Sequence, residues 1–375
     1  MKKTLIAVAA LSAMAASAMA ANVTVSGVVD LGFAFQNVKK AGDTTRTFKM
    51  NSGQNSGSRV MFKGAEDLGN NVEVGFQLES GFAADNGKLG AESNIFQRES
   101  RLYVKTAFGT LHAGRFGALD AGTGSVSIFG GSDMAAFGTS WNDVATTKPI
   151  LKISSRYDNS IAYQSPTFAG VSLYVMHSLK VSDQWEVKDG EFTGKPEDDG
   201  LEGRPSANRY NGIGLKYVNG AFNAAFVASQ QNYKSEAVNP ENGLVYSLGA
   251  GYDFGVCKVM AEGQYFDMGK DNAPVSGQTM KSGVEKGWGT VLSVTAPVAG
   301  GKLYASAGYK DAEDTINSDI KQKAWNFGLG YTYNFSKRTM FYTAAGYQEV
   351  KDETATGPSK KEKTTTVLTG LVHKF

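Results

Sequence analysis

Long apolar runs are absent from this 375-residue chain after its first 20 residues. A transmembrane helix needs ~20 consecutive apolar residues, so the sequence excludes a helical membrane protein although 41% of its residues are hydrophobic. Proline is also scarce, with 8 residues against 45 glycines. No helical periodicity of useful length follows the N-terminus, so the sequence predicts an all-β chain.

Residues that carry catalysis or bind metals are rare as well. The single cysteine, Cys257, cannot form an internal disulfide, and in the stretch GVCKVMAEG it shares an apolar face with Val259 and Ala261, so we interpret it as a small hydrophobic residue. There are 3 histidines, and the motifs G-x-S-x-G, H-E-x-x-H and C-x-x-C are missing. We therefore expect no enzymatic activity, no cofactor and no metal.

The N-terminus is typical of a secretory signal peptide. Two lysines precede an Ala-rich apolar run, and the small residues Ala18 and Ala20 form a site that a signal peptidase reads. We expect residues 1–20 to be this signal and residues 21–375 to be one mature domain. Because the chain has 38 Lys and Arg against 36 Asp and Glu, removing the two leader lysines leaves a net charge of zero. No strong basic patch predicts binding to nucleic acid.

Alternation of apolar and polar residues dominates the mature chain. In NVEVGFQLES, residues 71–80, one face of an extended strand would carry Val72, Val74, Phe76 and Leu78, and the other Glu73, Gly75, Gln77 and Glu79. Similar runs start at Asn22, Ser58, Arg101, Gly170, Gly212, Ala221, Val245, Lys302 and Trp325. There are about sixteen such runs, each roughly ten residues long, which is the length that a tilted strand needs to cross a bilayer.

Short and long connections between these runs alternate along the chain. Short ones, rich in Gly, Asn and Asp, lie at 66–71, 107–110, 218–221, 253–256 and 334–338. Long polar ones lie at 38–54, 83–93, 183–204, 267–283, 311–320 and 351–363. Short turns on one rim and long loops on the other are typical of a membrane β-barrel, whose apolar face meets lipid and whose polar face lines a water-filled lumen. Aromatic residues at strand ends fit the interfacial girdles of such a barrel: Phe33, Phe35, Phe82, Tyr252, Phe254, Tyr331 and Phe335.

Several stretches resemble the general diffusion porins of the Gram-negative outer membrane, most closely those of the β-proteobacterial branch. They are NVTVSGVVDLG, SRVMFKGAEDLGNNVEVGFQLESGF, FGTLHAGR, RYDNSIAYQSPTFAGVSLY and the ending GLVHKF. The resemblance implies a homotrimer of 16-stranded antiparallel transmembrane β-barrels, each narrowed by an inward-folded third loop. It also implies passive diffusion of small hydrophilic solutes and ions, contacts with outer-membrane lipid and lipopolysaccharide, and insertion by the outer-membrane assembly machinery. The terminal Phe375 is the expected assembly signal.

The inward loop should run from about Phe116 to Lys148. Its core SIFGGSD resembles the family's Pro-Glu-Phe-Gly-Gly core, but Ser127 and Ile128 stand where Pro and Glu are usual. This departure removes an acidic side chain from the expected constriction. The remaining acidic candidates on the loop are Asp120, Asp133 and Asp143, with Glu79 on the barrel wall.

Across the pore, the family places arginines on the barrel wall, and Arg59, Arg98 and Arg156 match those positions. Alternation independently places Arg59 and Lys63 on the polar face. It also favours a lumen position for Arg101 rather than for Arg98, so the sequence does not decide which of these two arginines points into the lumen. Arg115 lies where the inward loop starts and is expected to pair with it. Because guanidinium groups stay charged at physiological pH, this cationic wall predicts a weak preference for anions.

A solute-specific channel remains an alternative reading. Such a channel should show a line of aromatic residues or a dedicated polar site along its lumen. The candidate lumen aromatics are Tyr103, Tyr174 and Tyr304, which are too scattered in the sequence to predict a continuous slide.

Overall fold

The structure is a computed structural model, and the described part of the chain consists only of strands and irregular segments. It covers residues 23–90, 94–129, 134–138, 141, 144–145, 147–182, 185–188, 191–196, 202–205, 207–232, 242–268, 285–315, 317–354 and 358–375. The expected signal peptide lies outside these residues. In the described ranges, no helix is long and apolar enough to span a membrane.

The described ranges contain nineteen strands. The first ten are β1 Thr24–Lys40, β2 Asp43–Ser52, β3 Arg59–Asp67, β4 Glu73–Gly81, β5 Glu99–Thr106, β6 Gly109–Gly117, β7 Arg156–Gln164, β8 Val171–Ser178, β9 Trp185–Lys188 and β10 Glu191–Pro196. The others are β11 Arg209–Asn219, β12 Phe222–Asn232, β13 Gly243–Asp253, β14 Lys258–Asp267, β15 Glu285–Val298, β16 Gly301–Asp314, β17 Lys321–Asn334, β18 Thr339–Glu353 and β19 Lys360–Lys374.

The strands close into one antiparallel barrel. The barrel strands pair in chain order, with β8 pairing directly with β11, and β19 pairs back onto β1 from Val28↔Lys374 to Lys40↔Glu362. Strands β2 and β3 pair with successive parts of β1 and together form one barrel strand, interrupted at residues 53–58. Strands β9 and β10 form a separate hairpin. The barrel therefore has sixteen strands, as predicted, and closure leaves no unpaired edge in lipid.

The two faces of the barrel wall have opposite chemistry. On β13, the buried side chains of Val245 and Ser247 alternate with the exposed Tyr246 and Leu248. The same pattern exposes Leu215, Phe226, Leu292, Leu329 and Leu371 on other strands. Because a continuous apolar surface of this extent is unfavourable in water, the outer face matches lipid and the inner face lines the lumen.

Short turns and longer connections lie on opposite rims, but the first long loop was predicted wrongly. Residues 38–54 do not form a loop. β1 continues to Lys40, β2 begins at Asp43, and the turn between them has only Ala41 and Gly42, both with positive φ of 50° and 93°. Positive φ at both central residues is what a two-residue type I′ hairpin requires. The first two strands therefore extend as a hairpin beyond the predicted membrane span.

Residues 118–155 connect β6 to β7, and those of them that the structure describes pack inside the barrel. Near its start, this inward loop buries Leu119, Val126 and Ile128 against Tyr210 and Val227 of the wall. Further along, Trp141 contacts Tyr304 and Tyr342, and Ile150 packs with Val291. The loop thus covers the inner face of the strands from β11 to β18, and three cavities of the lumen remain between it and the strands β3 to β7.

Candidate pore constriction

The three cavities follow one another along the same side of the lumen. The loop-side cavity, of about 570 Å³, is bordered by the β2–β3 interruption and by both ends of the inward loop, and its charged residues are Arg98, Lys148, Lys152 and Arg156. The central cavity, of about 480 Å³, contains Arg59, Lys63, Glu79, Arg98, Glu99 and Arg156. The turn-side cavity, of about 570 Å³, contains Lys63, Glu73, Arg101, Lys105 and His112.

Arg59 and Arg98 share one carboxylate in the central cavity. Arg98 Nε lies 2.5 Å from Glu79 Oε1, and Arg59 Nε lies 3.7 Å from the same oxygen. Arg59 is also held by the β2–β3 interruption, because its Nη1 donates to the carbonyl of Gly57 at 2.7 Å and to Ser56 Oγ at 3.1 Å. Two guanidinium groups facing one carboxylate leave net positive charge at this level of the lumen.

Arg156 sits where the inward loop returns to the wall. Its Nη2 donates to Thr123 Oγ1 at 2.7 Å, which ties the first residue of β7 to the start of the loop. Its Nε is buried and has no hydrogen-bond partner among the described residues. Within the described ranges, no carboxylate forms an ion pair with Arg156, although Glu79 and Glu99 line the same cavity.

Arg98 lines the central cavity and Arg101 lines the turn-side cavity. Arg98 precedes β5, which begins at Glu99, so its side chain does not follow the alternation of that strand. Arg101 lies within β5 and forms an ion pair with Glu99 at 3.0 Å. Its Nη1 lies 2.6 Å from His112 Nδ1, and its guanidinium stacks 5.0 Å from the ring of Tyr103. Arg101 is therefore buried and paired, whereas Lys63, which lies in register with it through Gln77 of β4, is exposed to the lumen.

The prediction that Arg115 pairs with the inward loop is wrong. Its Nη1 lies 2.5 Å from Asp158 Oδ1 of β7, and its Nε donates to the carbonyl of Gln97 at 2.7 Å. The β6–β7 register shifts between Gly114 and Phe116, so alternation does not give the direction of Arg115. The side chain lines none of the three cavities.

Asp120, one of the three acidic loop residues considered for the constriction, does not face the passage. Its side chain is 2% exposed and accepts hydrogen bonds from Tyr210 Oη at 2.9 Å and Ser229 Oγ at 2.7 Å. Burial raises the pKa of Asp120, and the hydrogen bonds from Ser229, Ser154 and Tyr210 oppose that rise. Asp120 thus anchors the inward loop to β11 and β12. Asp133 and Asp143 lie outside the described residues.

Sequence reasoning missed three charged groups of this site. Lys148 and Lys152 line the loop-side cavity because the inward loop extends to residue 155 rather than ending at Lys148. Lys152 forms an ion pair with Glu285, which also binds Lys310 at 2.7 Å. Burial and the neighbouring Lys310 lower the pKa of Lys152 to about 7. Glu99 was overlooked although its alternation with Arg101 within QRESRLY could have indicated it.

The candidate lumen aromatics do not form a continuous row along the channel. Tyr103 lines the turn-side cavity, but Tyr174 is buried beneath the start of the inward loop and Tyr304 packs against Phe137 and Trp141 of that loop. Phe375 lies at the barrel seam, where its backbone pairs with Gly27 of β1, and its role as the assembly signal stays a prediction.

Comparison with known proteins agrees with this architecture. The model of the Gram-negative porin family matches residues 7–353. An outer membrane porin protein of Bordetella pertussis is 30% identical, and outer membrane porin protein 32 of Delftia acidovorans is 27% identical, each with 100% of both chains covered. Among solved structures, the anion-selective porin from Comamonas acidovorans has a TM-score of 0.66 and 24% identity, over 95% of this chain and 100% of that one. The chain therefore belongs to the Gram-negative porin family and forms an outer-membrane channel through which small hydrophilic solutes and ions diffuse.

Proposed function

We propose that this channel weakly prefers anions and that Arg59, Arg98 and Arg156 set the preference, helped by Lys63. The observation that carries the proposal is the unequal lining of the three cavities. Among the residues that the structure describes, the acidic lining residues are Glu73, Glu79 and Glu99, whereas the basic ones are Arg59, Lys63, Arg98, Arg101, Lys105, Lys148, Lys152 and Arg156.

Local pairing sharpens this imbalance. Glu99 is occupied by Arg101, and Glu79 is shared between Arg59 and Arg98. In the described part of the chain, four cavity-lining cations form no ion pair: Lys63, Lys105, Lys148 and Arg156. Fixed charges at a narrow, low-dielectric passage act over a Debye length of ~8 Å at physiological salt. The uncompensated cations should therefore attract anions and repel cations at the narrowest level.

The likeness to the Comamonas porin, which is described as anion-selective, supports the same direction. The absence of the family's usual Glu at Ile128 and the burial of Asp120 support it further, since neither position offers an exposed negative charge to the passage. The described part of the inward loop therefore presents no exposed carboxylate opposite the basic residues of the barrel wall.

We further propose that the chain assembles as a homotrimer after signal cleavage following Ala20. One solved neighbour, OmpT of Vibrio cholerae, is described in a trimer form and has a TM-score of 0.62 with 14% identity. The outer face of β1 exposes Phe33 and Phe35, with Phe33 stacked on Phe48 of β2 at 5.7 Å. This apolar face suits a neighbouring subunit or lipid. Outer-membrane lipid, lipopolysaccharide and the outer-membrane assembly machinery are the other partners we propose. Migration of unheated, detergent-extracted protein as a monomer would contradict the trimer.

The constriction is tested with charge-removing variants in planar bilayers. Arg59→Ser and Arg156→Ser, singly and together, should shift the zero-current potential under a KCl gradient toward cation preference and increase the conductance, because each removes a long cationic side chain from the central cavity. Arg338→Ser removes the same charge from an exposed turn outside the lumen and should leave the potential unchanged. If the native channel and all variants gave the same zero-current potential, these arginines would not determine the ion selectivity.

A further inference from the structure

The last part of the inward loop, residues 147–155, forms a return arm that runs along strands β14 to β16 before it reaches β7. Both ends of this arm are fixed within the loop itself. The N–H of Thr147 donates to the carbonyl of Gly138 at 3.0 Å, and the N–H of Ala118 donates to the carbonyl of Ser155 at 3.1 Å. The position of the middle of the arm therefore depends on its contacts with the barrel wall.

One glutamine of the wall binds the backbone of that middle part. Gln264 of β14 accepts the N–H of Lys152 on its Oε1 at 2.5 Å, and its Nε2 donates to the carbonyl of Lys152 at 2.9 Å. A further hydrogen bond runs from Nε2 to Ser247 Oγ of β13 at 2.9 Å. The side chain of Gln264 is 5% exposed. Its amide thus pairs with the N–H and the C=O of one arm residue, as a neighbouring strand would.

The return arm has packed wall on one side and open lumen on the other. On the wall side, a Cβ at Gly289 would overlap the carbonyl of Ile150, so the arm has no room to move closer to β15. On the lumen side, four arm residues line the loop-side cavity of about 570 Å³, namely Lys148, Leu151, Lys152 and Ile153. An arm that leaves the wall therefore moves into the passage.

We propose that Gln264 is a positioning residue of the channel, whose hydrogen-bond pair with Lys152 keeps the return arm against the wall and holds the passage at its full width. When this pair opens, the middle of the arm moves into the loop-side cavity and lowers the current until the pair forms again. The inference does not rest on the anion preference proposed above, because it concerns the width of the passage and not the sign of the permeating ion.

The ion pairs beside the arm do not replace this contact. Lys152 pairs through Nζ with Glu285, which also binds Lys310 Nζ at 2.7 Å. These ion pairs end on the flexible four-carbon stem of Lys152, so the backbone can shift while the ammonium group stays paired. The amide of Gln264 acts on the backbone directly and carries no net charge, so salt hardly screens it.

The test is single-channel recording of the assembled channel in planar bilayers at high salt. Gln264→Leu keeps most of the side-chain volume but removes both hydrogen bonds to the arm. We expect the fraction of time spent in reduced-current states to rise about tenfold, as for the loss of two neutral hydrogen bonds. Gln322→Leu is the matched control, because Gln322 of β17 donates to Asp352 of β18 at 2.8 Å. An unchanged record in Gln264→Leu, or an equal change in Gln322→Leu, overturns the proposal.

A second variant separates positioning from any loss of folding. In Gln264→Glu an ionised carboxylate can only accept hydrogen bonds, whereas the protonated acid offers one donor and one acceptor, as the amide does. Reduced-current states should therefore be frequent at pH ~8 and approach the native level at pH ~4, a range that includes the ordinary pKa of a glutamate carboxyl. Recovery within one and the same channel shows that the barrel is folded throughout.

The native channel is recorded over the same pH range, because other charged groups surround this position. They are Lys152 of the arm, Glu262 on the same face of β14, and Glu285 and Lys310 of the next two strands. If the Gln264→Glu channel differs from the native one equally at both pH values, or at neither, the positioning role is excluded. The zero-current potential in KCl is measured on the same channels, so chloride preference with unaltered current states contradicts only this inference.

Discussion

Tyr342 on β18 donates a 2.6 Å hydrogen bond to the buried carboxylate of Asp30 on β1, across the closing strand β19. The other carboxylate oxygen of Asp30 accepts from the backbone N–H groups of Asn55 and Ser56, both at 2.7 Å. One carboxylate thus joins the barrel seam to the β2–β3 interruption, which in turn holds Arg59 through Ser56 Oγ and the carbonyl of Gly57.

Removing the tyrosine hydroxyl should destabilise the barrel. Tyr342→Phe deletes a buried hydrogen bond to a charged acceptor, so the free energy of unfolding should fall by about 1.5–3 kcal/mol. The measurement is the midpoint of urea unfolding in detergent. Tyr347→Phe is the matched control, because its hydroxyl makes a 3.3 Å bond to Glu349 in a partly exposed position. Equal losses in both variants would argue against a special role of the seam.

Gly289 lies where the inward loop touches the wall. A Cβ at this position would overlap the backbone carbonyl of Ile150, whereas a Cβ at Gly263 would meet no atom within 4 Å. We expect Gly289→Val to push the loop toward β3–β7 and to lower the single-channel conductance. Gly263→Val should leave the conductance unchanged, and a normal conductance in Gly289→Val would contradict the packing of the loop on the far wall.

Docking of the loop through Asp120 should depend on pH. Burial raises the pKa of this carboxyl above its ordinary value of 3.8. For an acid with a raised folded-state pKa, the docked state binds the proton more tightly, so docking is most favourable in acid and weakens as the pH rises from about 4 through the raised pKa. Open-channel current noise should therefore increase with pH over this window.

The matched variant is Asp120→Asn, whose amide cannot ionise but can still bond Tyr210 and Ser229. Its current noise should show a smaller pH dependence than that of the native channel. An identical slope of noise against pH in the two channels would mean that Asp120 does not control loop docking.

The sequence predicted most of the barrel wall because each lipid-facing residue must be apolar and each lumen-facing neighbour can be polar. That signal ends where both faces meet water, so the extension of β1 and β2 up to the turn at Ala41 and Gly42 was missed. The sites of Asp120 and Arg115 could not be predicted for another reason. Their partners, Tyr210 and Asp158, lie 90 and 43 residues away and become neighbours only when the loop and the strands are assembled.

Phe375 closes the barrel at its seam, and we propose that it also acts as the assembly signal. Its N–H donates to the carbonyl of Gly27 at 3.1 Å, and the N–H of Gly27 donates back to its carbonyl at 3.0 Å. Deleting Phe375 removes this pair and should lower the amount of folded protein in the outer membrane, while the channels that do assemble conduct normally. Phe375→Tyr keeps the ring and the pair and should assemble as the native chain does. Native yields from the truncated chain would exclude this role.

The central claim is that uncompensated cations on the β3–β7 side of the lumen make the channel prefer anions. It is tested most directly by the zero-current potential of the native channel under a KCl gradient, measured at decreasing mean salt. We expect the sign that corresponds to chloride permeating faster than potassium, with a preference that grows as the mean salt falls below ~0.1 M, where the Debye length exceeds ~10 Å. A potential of the opposite sign, or one that does not change with salt, would contradict it.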